Sequence, residues 1–213
     1  MNKEEILKAL EDLKDSAYRE FSIKLTKTKY LVYGIRIPNI KILAKKIVKS
    51  TYIEEILSSK SECYEYLFLQ GFLIAYSKAD VKIKLDWLKN FVLKIDDWAV
   101  CDCVACALKI KDEDFFKQCI EWTKSDKEFV CRFGVINLMS HFMDEEHVDD
   151  AIINISKIKW HYYYIDMAIA WFIQKLYFKF KDKAEAMLND DKISEEIKKK
   201  ARQKIRDSLR ERK

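Results

Sequence analysis

Apolar positions recur at intervals of three and four residues along most of the chain, which is the period of a helix with one buried face. Ile6, Leu7, Leu10, Leu13, Ala17 and Phe21 predict a first amphipathic helix over about residues 3–21. Residues 22–36 hold the least helical stretch, with two Thr and a Gly. The only proline then falls in Ile37-Pro38-Asn39, at the start of the next helix, where its missing N–H costs nothing. On that helix Ile40, Leu43, Ala44, Ile47 and Val48 mark the buried face, while Lys41, Lys45 and Lys46 project from another. Further on, the pattern predicts helices in pairs: 62–77 with 80–93, 97–110 with 112–123, 127–142 with 145–157, and 161–179 with 181–189. A highly charged helix over about 193–211 closes the series. The first helix of each pair is the more apolar, as expected if it lines the inner side of a curved stack.

Composition sharpens this into a fold class. With Gly 3 and Pro 1 there is little room for β-turns, sandwiches or Gly-rich phosphate loops. A charged fraction of 35%, rich in Lys and Glu, suits helices throughout. The expected fold is all-α: an α-solenoid of HEAT-like helical repeats with a concave groove, residues 1–213 forming a single domain.

A net charge of +5 and a pI of 8.7 permit nucleic-acid binding through a localised patch without demanding it. Lys24, Lys27, Lys29, Arg36, Lys41, Lys45 and Lys46 form one cationic group, and Lys198, Lys199, Lys200, Arg202, Lys204, Arg206, Arg210, Arg212 and Lys213 a second. Either could follow a phosphate backbone; the second, interleaved with acids, is equally explained by a solvated helix. The six cysteines fall mostly on apolar helical positions and read as buried free thiols of a reducing cytosol. Cys103-Val104-Ala105-Cys106 is a Cys-x-x-Cys, but no second pair or nearby His stands at ligand spacing, so no metal is expected. The N-terminus reads as a helix start and no apolar run approaches about 18 residues. The expectation is a soluble, cytoplasmic monomer.

Three segments carry candidate chemistry. In Asp97-Trp98-Ala99-Val100-Cys101-Asp102, Trp98 and Asp102 are four residues apart and so share a helix face. Asp102 lies among small apolar residues, where an unpartnered carboxylate is costly, so it has a buried partner or points into a groove. Arg132 stands in Phe129-Val130-Cys131-Arg132-Phe133-Gly134, about one paired-helix repeat further on. It reads either as a structural ion pair with Asp102 or another acid, or as a phosphate contact suited to a guanidinium fork. Trp171, a further repeat on, shares a face with Met167 in an aromatic segment that includes Tyr162, Tyr163 and Tyr164. Core packing explains such stripes, and an indole also offers its π-face to a cation.

These residues carry a resemblance. Tyr33-Gly34-Ile35-Arg36-Ile37-Pro38 with Leu43-Ala44-Lys45-Lys46 resembles the GVRTP…LAK opening of the HEAT-like repeat DNA glycosylases of the AlkD type. Asp97-Trp98-Ala99-Val100-Cys101-Asp102 is similar to that family's W-D-x-V-D segment, Cys131-Arg132-Phe133-Gly134-Val135 to its Arg-bearing helix, and Met167-Ala168-Ile169-Ala170-Trp171 to its KAIGW segment. The resemblance implies DNA alkylation repair: hydrolysis of the N-glycosidic bond of cationic N3- and N7-alkylpurines in duplex DNA, without a cofactor. Carried over, it makes Asp102 the catalytic carboxylate, sets Trp98 and Trp171 against the lesion nucleotide, and has Arg132 hold a backbone phosphate. Arg36, Lys41 and Lys45 are further candidate phosphate contacts.

Three departures accompany it. Glycosylases of this family carry an additional short helix with an aromatic residue before the GVRTP turn. Residues 22–30 are short and Thr-broken, so the chain is expected to resemble the branch lacking that helix. Asp166 stands where a basic or amide residue commonly precedes the last motif, and two acids, Asp96 and Asp97, precede Trp98. The alternatives are a non-catalytic DNA-binding member of the same family and a protein-binding α-solenoid scaffold.

Overall fold

In the computed structural model, which describes residues 1–210, thirteen α-helices and one 3-10 turn carry the chain, with no strand among the described residues. The all-α expectation holds, and the helices stack on one another as in an α-solenoid of helical repeats. The contacts resolve two compact units, the first Met1–Ile110 and the second from Lys111 onward. Arg212, Lys213 and the expected helix end at 211 lie outside the described residues, as does the side chain of Arg210.

The first helix is shorter than its apolar pattern predicts. It divides into α1 (Lys3–Glu11) and α2 (Ser16–Leu25). Asn2 caps α1 in a reciprocal box with Glu5, and Asp15 caps α2 by accepting the Tyr18 N–H at 2.9 Å. An aspartate before a helical run is more stable as a cap than inside a helix, so Asp15 ends one helix and starts another. Ala17 and Phe21, expected on a buried face, are therefore exposed, and α2 buries no residue completely. A short helix that carries Tyr18 and Phe21 thus precedes the Gly34 turn, and residues 26–30 of the connector are not helical.

Residues 26–36 are extended and lead to α3 (Ile37–Ile47). Gly34 has φ +83, and a Cβ there would lie 2.5 Å from both Asp15 O and Arg19 Cβ, so only glycine fits beneath α2. Glu65 holds this turn from below: its buried carboxylate accepts the backbone N–H groups of Tyr33, Gly34 and Ile35. A short helix α4 (Ile53–Ser58), which the apolar pattern does not announce, follows and buries Ile56.

The middle of the first unit is α5 (Tyr64–Tyr76), buried continuously from Tyr64 to Ala75 with α3 on one side and α7 (Trp98–Leu108) on the other. Its apolar character reflects packing on both sides within the row α3, α5, α7. A Cβ on Gly71 would meet Val104 Cγ2 at 2.3 Å, so α5 and α7 are in direct backbone approach there. Between them in sequence run α6 (Val81–Phe91) and the 3-10 turn Val92–Lys94.

The second unit repeats the plan with α8 (Glu113–Thr123), α9 (Glu128–His141), α10 (Val148–Ile155), α11 (Tyr163–Lys179), α12 (Lys181–Asn189) and α13 (Glu195–Arg210). Here α9 packs mainly on α8 and α11, α10 lies on α8, and α11 also carries α12 and α13. α9, α11 and α13 thus form a row, with α10 seated on α8 and α12 on α11.

Candidate nucleic-acid interface and catalytic cleft

In the first unit, α7 presents two unlike faces. Val100, Cys101, Val104, Ala105 and Leu108 are buried, whereas Trp98, Asp102 and Cys106, one helical turn apart, lie on the open side. Trp98 is 37% exposed, and its indole N–H points to Leu25 O at the end of α2, at 3.5 Å.

The two acids before Trp98 are consumed internally. Asp97 caps α7, accepting the Ala99 N–H at 2.8 Å and a short hydrogen bond from the Tyr64 hydroxyl. Burial raises the Asp97 carboxyl above its ordinary value, against the Tyr64 hydrogen bond; burial and Asp97 together push the Tyr64 phenol far up. Asp96 accepts the Thr28 hydroxyl at 2.9 Å and the Lys29 N–H at 2.8 Å, fastening the extended segment to the start of α7. Neither acid is offered to an incoming anion.

Asp97→Ala removes the cap, worth about 1 kcal/mol, and orphans a buried hydroxyl at a further cost of about 1–3 kcal/mol. Asp97→Asn keeps an acceptor in place and should stay within about 1 kcal/mol of the parent. Because the folded carboxyl titrates above its unfolded value, the charged form costs stability as pH rises through that range, and the Asn variant should lose this slope. Denaturant melts of the three proteins from acid to neutral pH check both points.

Asp102 is half-buried and lines a cleft of about 620 Å³. Lys41 and Lys45 enter it from α3, Tyr76 from α5, and Cys103, Cys106 and Lys109 from α7 and its end. The Lys41 ammonium sits 5.3 Å from the Phe72 ring centroid, and that of Lys45 is 5.6 Å from Tyr76, so aromatic faces orient both cations. Lys109 closes α7 in the left-handed region at φ 49, a conformation no other non-glycine takes among the described residues. Burial pushes the Cys103 thiol up to about 11, which keeps it from serving as a thiolate at neutral pH. The sequence-predicted Asp102, Lys41 and Lys45 are thus brought together. Tyr76 and Lys109 were not foreseen, although Cys106 falls one turn after Asp102 and is found by the same spacing. Arg36 lies elsewhere, 3.6 Å from Asp15 and over the Tyr18 ring at 4.5 Å.

In the second unit Arg132 is 5% exposed. Its Nη1 donates to Tyr164 O at 2.6 Å, while Glu128, one turn earlier on α9, accepts the Tyr164 N–H at 2.8 Å. The two side chains therefore grip both backbone groups of one residue at the start of α11. Trp171 is half-buried two turns further along α11. Met167, on the same face as Trp171, lines a second cleft, of about 510 Å³, with Lys199, Lys200, Lys204 and Arg206 of α13. Burial and then the Arg132 cation lower the Lys204 ammonium, which places both charges in one electrostatic neighbourhood. Asp166 is buried and its carboxylate is 3.1 Å from His161 Nδ1, so it is held internally as Asp96 and Asp97 are. Tyr162 and Tyr163 are exposed and do not join the core, whereas Tyr164 packs on Phe129.

A family model described as DNA alkylation repair enzyme matches residues 6–211. The chain belongs to this family. No curated protein and no solved structure gave a match. Membership of a family of DNA alkylation repair enzymes points to DNA as the substrate. No helix among the described residues is long and apolar enough to cross a membrane.

Proposed function

We propose that this DNA alkylation repair family member is a DNA glycosylase that hydrolyses the N-glycosidic bond of cationic N3- and N7-alkylpurines in duplex DNA. The observation that carries this reading is a carboxylate, Asp102, on the open stripe of α7, one turn from an exposed indole and beside two oriented lysines.

Each residue type matches a demand of the reaction. The lesion base is a cation, and an indole face attracts it. As the base departs, positive charge grows on the deoxyribose, and a carboxylate fixed nearby stabilises that charge without reorganising. The same carboxylate orients the attacking water and takes up its proton. Lys41 and Lys45 hold phosphates flanking the lesion, with Arg36 outside the cleft as a further contact. In the second unit Trp171 meets the lesion nucleotide, and Arg132, acting with Lys204, favours a backbone phosphate. On this reading residues 1–213 serve one activity as a single domain, in a cytoplasmic monomer.

The test is incubation with duplex DNA containing one N7-methylguanine and measurement of released base. Release above the spontaneous rate is the expected result. Salt-sensitive binding with no release at enzyme excess would leave a non-catalytic DNA binder, a reading that the burial of Arg132 against Tyr164 also accommodates.

A further inference from the structure

Away from the residues assigned to DNA, the second unit gathers a different set of side chains. Glu113 at the start of α8, and Glu146 and His147 just before α10, bring one carboxylate oxygen each and a ring nitrogen within 4.8 Å of one another. His147 is the fixed member. Its ring lies against Phe116 at 4.7 Å and Phe142 at 5.1 Å between centroids, and Asp144 Oδ1 is 2.6 Å from Nδ1. Asp144 also accepts the His147 backbone N–H at 3.2 Å, so one carboxylate fixes both the backbone and the ring. The opposite nitrogen, Nε2, faces outward, 2.8 Å from Glu113 Oε1.

A carboxylate behind one imidazole nitrogen, with the other nitrogen turned toward carboxylates, is the arrangement that prepares a histidine to bind a metal: the rear partner selects the tautomer and raises the basicity of the front nitrogen. The charge balance agrees. Three carboxylates surround one imidazole, and the nearby cation, Lys111, is 4.0 Å from Asp144 Oδ2, on the rear carboxylate. From these observations we infer that Glu113, Glu146 and His147 form a binding site for a divalent transition cation of the zinc class, with Asp144 as its positioning residue and water completing the coordination.

The donor set, one imidazole nitrogen and two carboxylate oxygens, is that of an open zinc site with three protein ligands. Zinc bonds of about 2.0–2.2 Å set tetrahedral donor atoms about 3.3 Å apart, so Nε2 and Glu113 Oε1, now 2.8 Å apart, open slightly to admit the ion and Nε2 gives up any proton it shares with Glu113. Glu113 and Glu146 are exposed and rotate to meet a cation held at the rigid imidazole. Such an ion would tie the start of α8 to the turn before α10, clipping together two segments otherwise joined by the His147–Glu113 contact.

Isothermal titration of the full-length protein with ZnCl2 tests this, with MgCl2 as the comparison. The expected result is saturable 1:1 binding of Zn2+ at micromolar concentrations, much weaker binding of Mg2+, and a rise in thermal midpoint on Zn2+ addition. Glu146→Gln, at an exposed position where folding is not at risk, should weaken binding at least tenfold, and His147→Ala should abolish it. Cys106→Ser should leave binding unchanged, which separates this site from the exposed thiol. Absence of saturable binding, or binding that survives both Glu146→Gln and His147→Ala, would overturn the proposal. The readouts do not depend on base release, so this site stands or falls apart from the glycosylase reading.

Discussion

Asp102→Asn should reduce the single-turnover rate of base release by about 10²–10³-fold, the loss seen when one preorganised electrostatic group is removed from a transition state. The carboxamide has nearly the same shape, and Asp102 is half-buried on the open side of α7, so fold and stability should be almost unchanged. DNA affinity should stay level or rise slightly, because a negative charge leaves a cleft that Lys41, Lys45 and Lys109 make positive. This separation of kinetics from binding distinguishes the catalytic reading from its competitor. A rate equal to that of the parent, with release still far above the spontaneous background, would remove Asp102 from the mechanism and return attention to the lysines as simple DNA contacts.

The largest stability effect should come from Glu65→Ala, well away from the proposed chemistry. Glu65 is 2% exposed and is the acceptor for three successive backbone donors, Tyr33, Gly34 and Ile35, at 2.7–3.1 Å. Removing it leaves the donors of a buried turn without their acceptor, each costing about 1–3 kcal/mol before water enters. A total loss of about 3–5 kcal/mol is expected from urea denaturation, a large share of a typical domain's stability. Glu65→Gln retains one acceptor oxygen but turns an amide donor toward N–H groups, so it should fall between the two. If Glu65→Ala lost less than about 1 kcal/mol, the carboxylate would not be what holds the Gly34 turn.

The residues that one helix brings together are legible from spacing alone, and those that need two helices are reached in the sequence only through the family resemblance. Trp98 and Asp102 were placed on one face because a four-residue step is a property of any α-helix. That Lys41 and Lys45 join Asp102 depends on α3 and α7 lying on opposite sides of α5, a nonlocal arrangement set partly by Gly71. The two-sided packing of α5, α9 and α11 is nonlocal in the same way. An apolar helix reads the same whether it lines a concavity or is enclosed on both sides. The break between α1 and α2 was hidden because Asp15 falls where an amphipathic helix would also place a polar residue. Only the Tyr18 N–H bonded to its side chain reveals it as a cap. The six residues of α4 bury one side chain, Ile56, too little to register as a periodic pattern. Arg132 illustrates the opposite limit. Its guanidinium donates to the main-chain carbonyl of Tyr164, a contact that no pattern of side chains encodes.

Because α2 buries no side chain completely, it is held mainly by surface contacts: the Asp15 cap, Arg36 against Asp15 and the Tyr18 ring, the Arg19–Val32 hydrogen bond at 2.8 Å, the Gly34 backbone beneath it and the long contact from Trp98 to Leu25. Segments with so few buried contacts open at a small fraction of the global free energy, many times for every unfolding of the whole. Backbone amides of Ser16–Leu25 should accordingly exchange with solvent sooner than those of α7, with the Trp98 indole N–H following α2 in its exchange and not the buried side of its own helix.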